Sequence, residues 1–560
     1  MIARKIFSFI NKETGGLHKA AYVLALFTLI SQILGLVRDR LLAHSFGAGE
    51  TLDLYYAAFR LPDLILIIAG SIVSISVIVP ILIQQMNIGY EKSKKFIDSI
   101  FTFFLISIVA VCIIAFFVSP YILKILFPGF VGLESFSDLV LLTRVFLLSP
   151  LLLGISSLFA GIVQAYKRFF VYAMAPILYN VGIIMGITLL YPMLGILGLG
   201  VGVVFGAFLH MFIQSFAVSE KKMLPKITTS IDWKSVKNVI LPSIPRSFTL
   251  SITSIVILFL LGFASLLREG TITIFNLAFN LQSVPLGIIG VSYSLAAFPM
   301  LSELFVKGEK NEFIEKIEAA ARHIVFWSLP VLTLFIVLRA QIVRTILGSG
   351  EFTWSATRLT AATVAIFSIS VFAQSLILLF VRGYYATGDT KKPLIFAVIS
   401  GSTTVVLAMM LLAFDTTVQP LLFFIESLLK VEGIYGSNML FLPLSFSIGT
   451  ILNMILISRY FFKDFGKFSY GFWVSARQSL YTSIIVGFAT YKALGIFDDL
   501  FDIRTVIGIF SQGLFAGLFG IVFGVLLLIL LRNTEVIEVI GAFRKKYTKP
   551  AIFLPEQSEL

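Results

Sequence analysis

The sequence predicts an all-α polytopic membrane protein of about 14 transmembrane helices: two six-helix lobes related by a parallel pseudo-repeat, followed by two additional helices. Three observations predict it. Of 560 residues, 58% are hydrophobic and only 13% charged, with a mean hydropathy of +0.99, whereas a soluble domain carries roughly 25% charged residues. Apolar runs repeatedly reach the roughly 20 residues that cross a bilayer. Finally, short segments of the first half return, in order, in the second.

The spans are expected at residues 20–43, 54–85, 96–118, 138–164, 170–190, 195–218, 236–266, 272–301, 319–338, 358–384, 393–414, 433–460, 473–491 and 505–531. In lipid a backbone must satisfy its own hydrogen bonds, which long apolar runs without strand alternation do as helices. Short loops such as Tyr191–Leu194 make consecutive helices antiparallel. No cleavable signal peptide is expected, because MIARKIFSFINK lacks an uninterrupted apolar stretch with a small-residue cleavage site.

Most of the 43 Lys and Arg fall in the N-terminal tail, alternate loops and the C-terminal tail. Lys92, Lys94 and Lys95, then Lys221, Lys222 and Lys226, then Arg544, Lys545 and Lys546 are examples. The opposite loops hold few, among them Arg268, Arg339 and Arg358. This bias predicts both termini on the cytoplasmic side. It also explains the net charge of +13 as topology plus attraction to anionic lipid headgroups, so membrane lipids are expected partners and nucleic acid is not.

Sliding the chain against itself by about 220 residues gives the repeat. Tyr56-Ala-Ala-Phe-Arg-Leu61 lies on Asn276-Leu-Ala-Phe-Asn-Leu281, Pro80 falls beside Pro299, and Val163-Gln-Ala-Tyr166 lies on Val381-Arg-Gly-Tyr384. An even number of spans per copy keeps both copies in one orientation, and transporters with such parallel repeats bind substrate between the halves. The expected domains are residues 1–230 (spans one to six), 231–465 (spans seven to twelve), 466–535 (spans thirteen and fourteen) and a cytoplasmic basic tail, 536–560.

Catalysis has little to stand on. Four histidines and one cysteine, Cys112, offer no metal-ligand spacing, and no nucleophile–base–acid set or phosphate-binding loop is present. Neither an enzyme, a cofactor, a metal site nor a catalytic residue is expected. Gly198, Gly202 and Gly206 share one helix face and read as a close-packing seam rather than a nucleotide loop.

The informative charges sit in and near the membrane, where each costs about 2.5–3.5 kcal/mol on insertion scales. Arg38, Asp39 and Arg40 end span one, and Asp53 begins span two across a glycine-bearing turn. Their matching depths allow an Arg38–Asp53 pair or a pair centred on Asp39, either as an interfacial rim or as an outer gate. Arg60 and Asp63 bracket Pro62, and Arg246 follows Pro242 and Pro245. A proline frees backbone groups that neighbours or water must satisfy, so Arg60 and Arg246 face protein or a wet cavity, as substrate contacts or as structural pairs. Arg144 reads as structural. Deep arginines in this number favour an anionic ligand, since guanidinium matches phosphate.

The stretch S-x-x-L-G-x-x-R-D from Ser31, then F-G-A-G, then D-x-x-x-x-A-F-R-L-P from Asp53, resembles the signature hairpin of the MurJ/MviN lipid II flippase family. QAYKRFFVYAMAPILYN at 164–180, ILGSGEFT at 346–353 and RGYYATGDTKKP at 382–393 extend the resemblance over nearly the whole chain. It implies the multidrug/oligosaccharidyl-lipid/polysaccharide exporter superfamily and a bacterial inner (cytoplasmic) membrane location. It further implies alternating-access movement of undecaprenyl-pyrophosphate-linked peptidoglycan precursor from the inner to the outer leaflet. Arg38, Asp39 and Asp53 carry over as gate residues, and Arg60 matches a basic family position.

The chain departs from the family at Gln32, at Leu66 with Ile67, and at Phe279 with Asn280, where cations or an Asp-Arg pair are usual. The expected substrate contacts are therefore Arg60, Arg246, Gln32 and Asn280, holding a lipid-linked anionic glycan in a protein working as a monomer. Alternatives are a flippase for another polyprenyl-linked glycan, of O-antigen or teichoic type, and a non-transporting membrane scaffold.

Overall fold

The computed structural model describes residues 17–72, 75–502 and 504–548, and all regular structure among them is helical. The helices that position the site are α1 (Leu17–Phe46), α2 (Glu50–Ile72), α3 (Ile75–Ile88), α4 (Tyr90–Leu126), α5 (Leu148–Ala165), α6 (Phe169–Met185), α7 (Ile196–Glu220), α8 (Trp233–Ser265) and α9 (Thr271–Pro285). Later in the chain come α10 (Lys310–Val337), α11 (Trp354–Ala386), α12 (Lys391–Ala413), α13 (Asp415–Leu429), α14 (Phe441–Phe465), α15 (Tyr470–Asp498), α16 (Val506–Leu530) and α17 (Thr534–Thr548).

Among the described residues, eleven helices are long and apolar enough to cross a membrane, which meets eleven of the fourteen expected spans. The other three, 20–43, 54–85 and 236–266, coincide with α1, with α2 plus α3, and with α8. Each of these stretches includes positions whose side chains lie outside the described residues. Within the second expected span the chain is helical on both sides of positions 73 and 74, which lie outside the described residues.

Contacts group the residues into two compact units. One runs to Asn280 and adds Ile346–Thr363 and Thr390–Gly449; the other comprises Leu281–Thr345, Val364–Asp389 and the chain from Thr450 onward. The core of the first gathers Leu61, Ile78, Phe96, Ile100, Phe104, Leu158 and Ile162 from α2 to α5. Cys112 packs half-buried against this core, its thiol 3.5 Å from the Leu147 carbonyl.

The glycine seam of α7 meets Gly182 of α6 and Gly186 just beyond its end. A Cβ at Gly202 would run into the Gly186 backbone, and one at Gly182 into the Gly206 backbone. Without an apolar driving force between helices in lipid, such backbone approach supplies the attraction. Gly202→Val is therefore expected to cost at least about 1–3 kcal/mol by overpacking, read as a lower melting temperature in detergent.

A second tie between these helices escaped sequence reasoning. Arg168, at the start of α6 and 3% exposed, grips Glu220 at the end of α7 through two hydrogen bonds of 2.9 Å. Charge-assisted bidentate pairs are strong, and Arg168→Ala is expected to lower stability by about 2–3 kcal/mol in the same melting assay. Arg144 has local partners: its Nε donates to the Phe116 carbonyl at 3.1 Å, and its guanidinium lies 4.6 Å above the Phe116 ring.

In the second unit α15 and α16 pack through Gly520 against Thr490 and Gly524 against Val486, while Gly487 of α15 admits Thr333 of α10. The last helix, α17, is pinned by the buried Glu535, which accepts from Ser475 at 2.5 Å and pairs with Arg322 at 3.5 Å.

Candidate functional site

The charged hairpin folds into two hydrogen-bonded clusters, both inside the first unit. The turn between α1 and α2 is tight because Gly47 adopts φ +65°, and a Cβ there would strike the Glu351 backbone. Glu351 belongs to the ILGSGEFT loop, which seats on the hairpin. Its N–H donates to the His44 carbonyl at 2.9 Å, His44 Nδ1 lies 3.2 Å from Ser349 Oγ, and Arg40 donates to the Ile346 carbonyl at 3.4 Å. Gly350 also needs a positive φ, +61°, with His44 where its Cβ would be. Two motifs quoted separately from the sequence thus form one surface.

The first cluster is centred on Asp39, which is 4% exposed. Arg38 donates to Asp39 Oδ1 through Nη2 at 2.8 Å and Nε at 2.9 Å, and through Nη1 to Asn180 Oδ1 at 3.2 Å. Asn280 Nδ2 donates to the other oxygen, Oδ2, at 3.0 Å. Asp39 therefore has acceptors engaged on both oxygens by groups from α1 and α9. Asn180 in turn donates to Ser31 Oγ at 3.4 Å and to the Pro176 carbonyl at 3.2 Å. Gln32, half-buried beside Ser31, takes no part in these bonds.

The second cluster is a mutual cap. Asp53, also 4% exposed, accepts from the Gly270 N–H, the Thr273 N–H and the Thr273 hydroxyl, each at 2.7 Å. Glu269 accepts from the Glu50 N–H at 2.8 Å. Helix N-termini carry orphan N–H groups and a partial positive charge, so the starts of α2 and α9 would repel if simply placed together. Each instead receives a carboxylate carried by the other's end. The partners are 217 to 220 positions apart, the offset at which the sequence matches itself. Of the two pairings the hairpin allows for Arg38, the structure takes Asp39, because Asp53 is committed to the α9 terminus.

Arg60 sits one turn deeper on α2, before Pro62. Its Nη2 donates to Asn276 Oδ1, and Asn276 Nδ2 is held by the Ile272 carbonyl at 2.8 Å. The Nε of Arg60 is buried with no hydrogen-bond partner. Asp63 makes no ion pair with it among the described residues. Asn276 and Asn280 are spaced one helical turn apart on α9, so one helix face serves both Arg60 and Asp39. Leu66 and Ile67 are half-buried and apolar. Arg246, with Pro242 and Pro245, lies on α8 at positions whose side chains fall outside the described residues.

Sequence reasoning named Arg38, Asp39, Asp53, Arg60 and Asn280: the structure joins Arg38, Asp39 and Asn280 in one cluster, seats Asp53 in the other, and bonds Arg60 to Asn276. It missed Asn180, Glu269, Thr273 and Asn276. The self-match did align Asn276 with Tyr56 and Asn280 with Arg60, which was the available signal for α9.

The sequence profile of the family described as Lipid II flippase MurJ matches residues 42–511. A lipid II flippase MurJ of Burkholderia cenocepacia is 25% identical over 393 residues, 68% of this chain and 76% of the relative. A probable lipid II flippase MurJ of Rickettsia prowazekii is 27% identical over 384 residues, 68% of this chain and 75% of the relative. Among solved structures, a lipid II flippase MurJ in an inward closed conformation superposes with a TM-score of 0.72 at 21% identity, covering 91% of this chain and 99% of that one. An inward-facing multidrug transporter of the MATE family follows the same fold, with a TM-score of 0.59 at 15% identity over 80% of this chain and 98% of the other. The protein is a multi-pass protein of the bacterial inner membrane, and it belongs to the lipid II flippase MurJ family.

Proposed function

We propose that this protein is a transporter that moves lipid II, the undecaprenyl-pyrophosphate-linked peptidoglycan precursor, from the inner to the outer leaflet by alternating access. The observation that carries the reading is the family match over residues 42–511. Two six-helix lobes, residues 1–230 and 231–465, rock to expose the substrate site to one side and then the other, with residues 466–535 as an addition to them. Both termini face the cytoplasm, as the charge bias supports. The working unit is a monomer.

Arg60, with its unpartnered Nε, offers the pyrophosphate an N–H that no protein group satisfies; Arg246 and Gln32 add to the contact. Asn280 joins once its bond to Asp39 opens. Arg38, Asp39 and Asp53 form the outer gate: it is shut while the Asp39 and Asp53 clusters hold, and opening it breaks both. Substrate drives this only through different affinity for the two states.

Depletion of the protein in its host tests the reading. Peptidoglycan precursor should accumulate in the cytoplasmic leaflet within a generation of depletion; unchanged precursor export overturns it. The absence of cations at Gln32, Leu66 and Asn280 favours a second reading, in which the cargo is another polyprenyl-linked glycan. That reading expects normal precursor export with loss of a surface glycan.

A further inference from the structure

Basic residues at the cytoplasmic ends of spans usually stand in water and record topology alone. Three of them here have a different setting. Where α14 ends and α15 begins, a cavity of about 900 Å³ is lined by three cations, Arg459, Lys463 and Lys467, together with the aromatic residues Phe462, Phe468 and Trp473. None of the three cations has an ion pair or hydrogen bond among the described residues. The neighbouring acid, Asp464, is engaged by the Tyr384 hydroxyl at 2.9 Å. The apolar wall is fixed rather than loose: Phe468 packs edge-on against Phe462 and Phe472, each with ring centroids 4.8 Å apart. Trp473, which also lines the cavity, stays 52% exposed, and indoles are enriched at membrane interfaces.

We infer that this cavity is a binding site for an anionic glycerophospholipid, separate from the residues proposed to contact the transported substrate. The headgroup phosphate meets the three cations, and the first acyl methylenes lie against the phenylalanine and tryptophan wall. A soluble phosphate would leave the aromatic lining unused, and a zwitterionic lipid would bring a positively charged headgroup up to three cations. The ligand that fits both cations and aromatics is a lipid with net negative charge. On the topology proposed above it comes from the cytoplasmic leaflet, whose anionic lipids attract each nearby Lys or Arg.

The test uses the full-length protein in detergent, titrated with dioleoyl phosphatidylglycerol or dioleoyl phosphatidylcholine and read by native mass spectrometry. The wild type should bind phosphatidylglycerol at least tenfold more tightly than phosphatidylcholine. R459Q/K463Q/K467Q should lose that preference, at roughly fivefold per cation removed. Equal binding by variant and wild type, or no preference in the wild type, overturns the proposal. So does displacement of the lipid by inorganic pyrophosphate at equal affinity, which would make this a soluble-anion site. If the triple variant loses its melting transition, the three single substitutions carry the same comparison. Labelling of Lys467→Cys by an impermeant maleimide reads the topology separately, so a wrong orientation and a wrong ligand give different results.

Discussion

Arg60→Ala is expected to reduce substrate movement by about 10-fold to 100-fold while leaving the folded yield unchanged. The size follows from hydrogen bonds to charged groups, worth about 1.5–3 kcal/mol each, at a factor of ten per 1.4 kcal/mol. The unchanged yield follows from the site itself. Arg60 holds one amide oxygen and leaves its Nε buried without a partner, an arrangement that stabilises the fold little, because an incompletely paired buried charge bears most of its desolvation penalty. Arg60→Met, which keeps the length without the charge, should melt no lower than the wild type and transport as poorly as the alanine variant. Arg60→Lys keeps charge but not the planar fork and should fall between. Transport per folded molecule, measured beside the melting temperature, checks all three. A structural Arg60 would lower both together.

Asp53→Ala should have the larger effect on stability. It strands the N–H groups of Gly270 and Thr273 at a buried helix start, at about 1–3 kcal/mol for each unsatisfied group, and removes the charge that offsets two adjacent helix termini. A total loss of about 3–5 kcal/mol is expected. Asp53→Asn keeps one carbonyl oxygen for Thr273 but turns an amide toward Gly270, so it should lose part of that amount. In the Asn variant the gate should also open more readily, read as faster labelling of His44→Cys by an impermeant maleimide. Unchanged labelling would leave Asp53 a helix cap without a gating role.

The fold was legible because lipid imposes few solutions, and apolar length gave the helices. The α6–α7 seam was legible for the same reason, since only glycine spaced at four residues permits backbone contact. Within the hairpin the sequence pointed to charged residues that the structure holds in hydrogen-bonded clusters, but not to their partners. Asp53 and Arg38 are close in sequence, yet Asp53 turns to the start of α9, some 220 positions away, because a helix N-terminus outcompetes an arginine already held by Asp39. Asn180, Asn276 and Thr273 were invisible because a neutral amide or hydroxyl in a span becomes informative only once its partner is known.

Purified protein in liposomes carrying a fluorescent lipid II on one leaflet tests the central claim most directly, with leaflet occupancy read by an impermeant quencher. The account predicts that lipid II changes leaflet faster with the wild type than in protein-free liposomes and that Arg60→Ala falls to near the protein-free rate. Equal rates for wild type, Arg60→Ala and empty liposomes would contradict it.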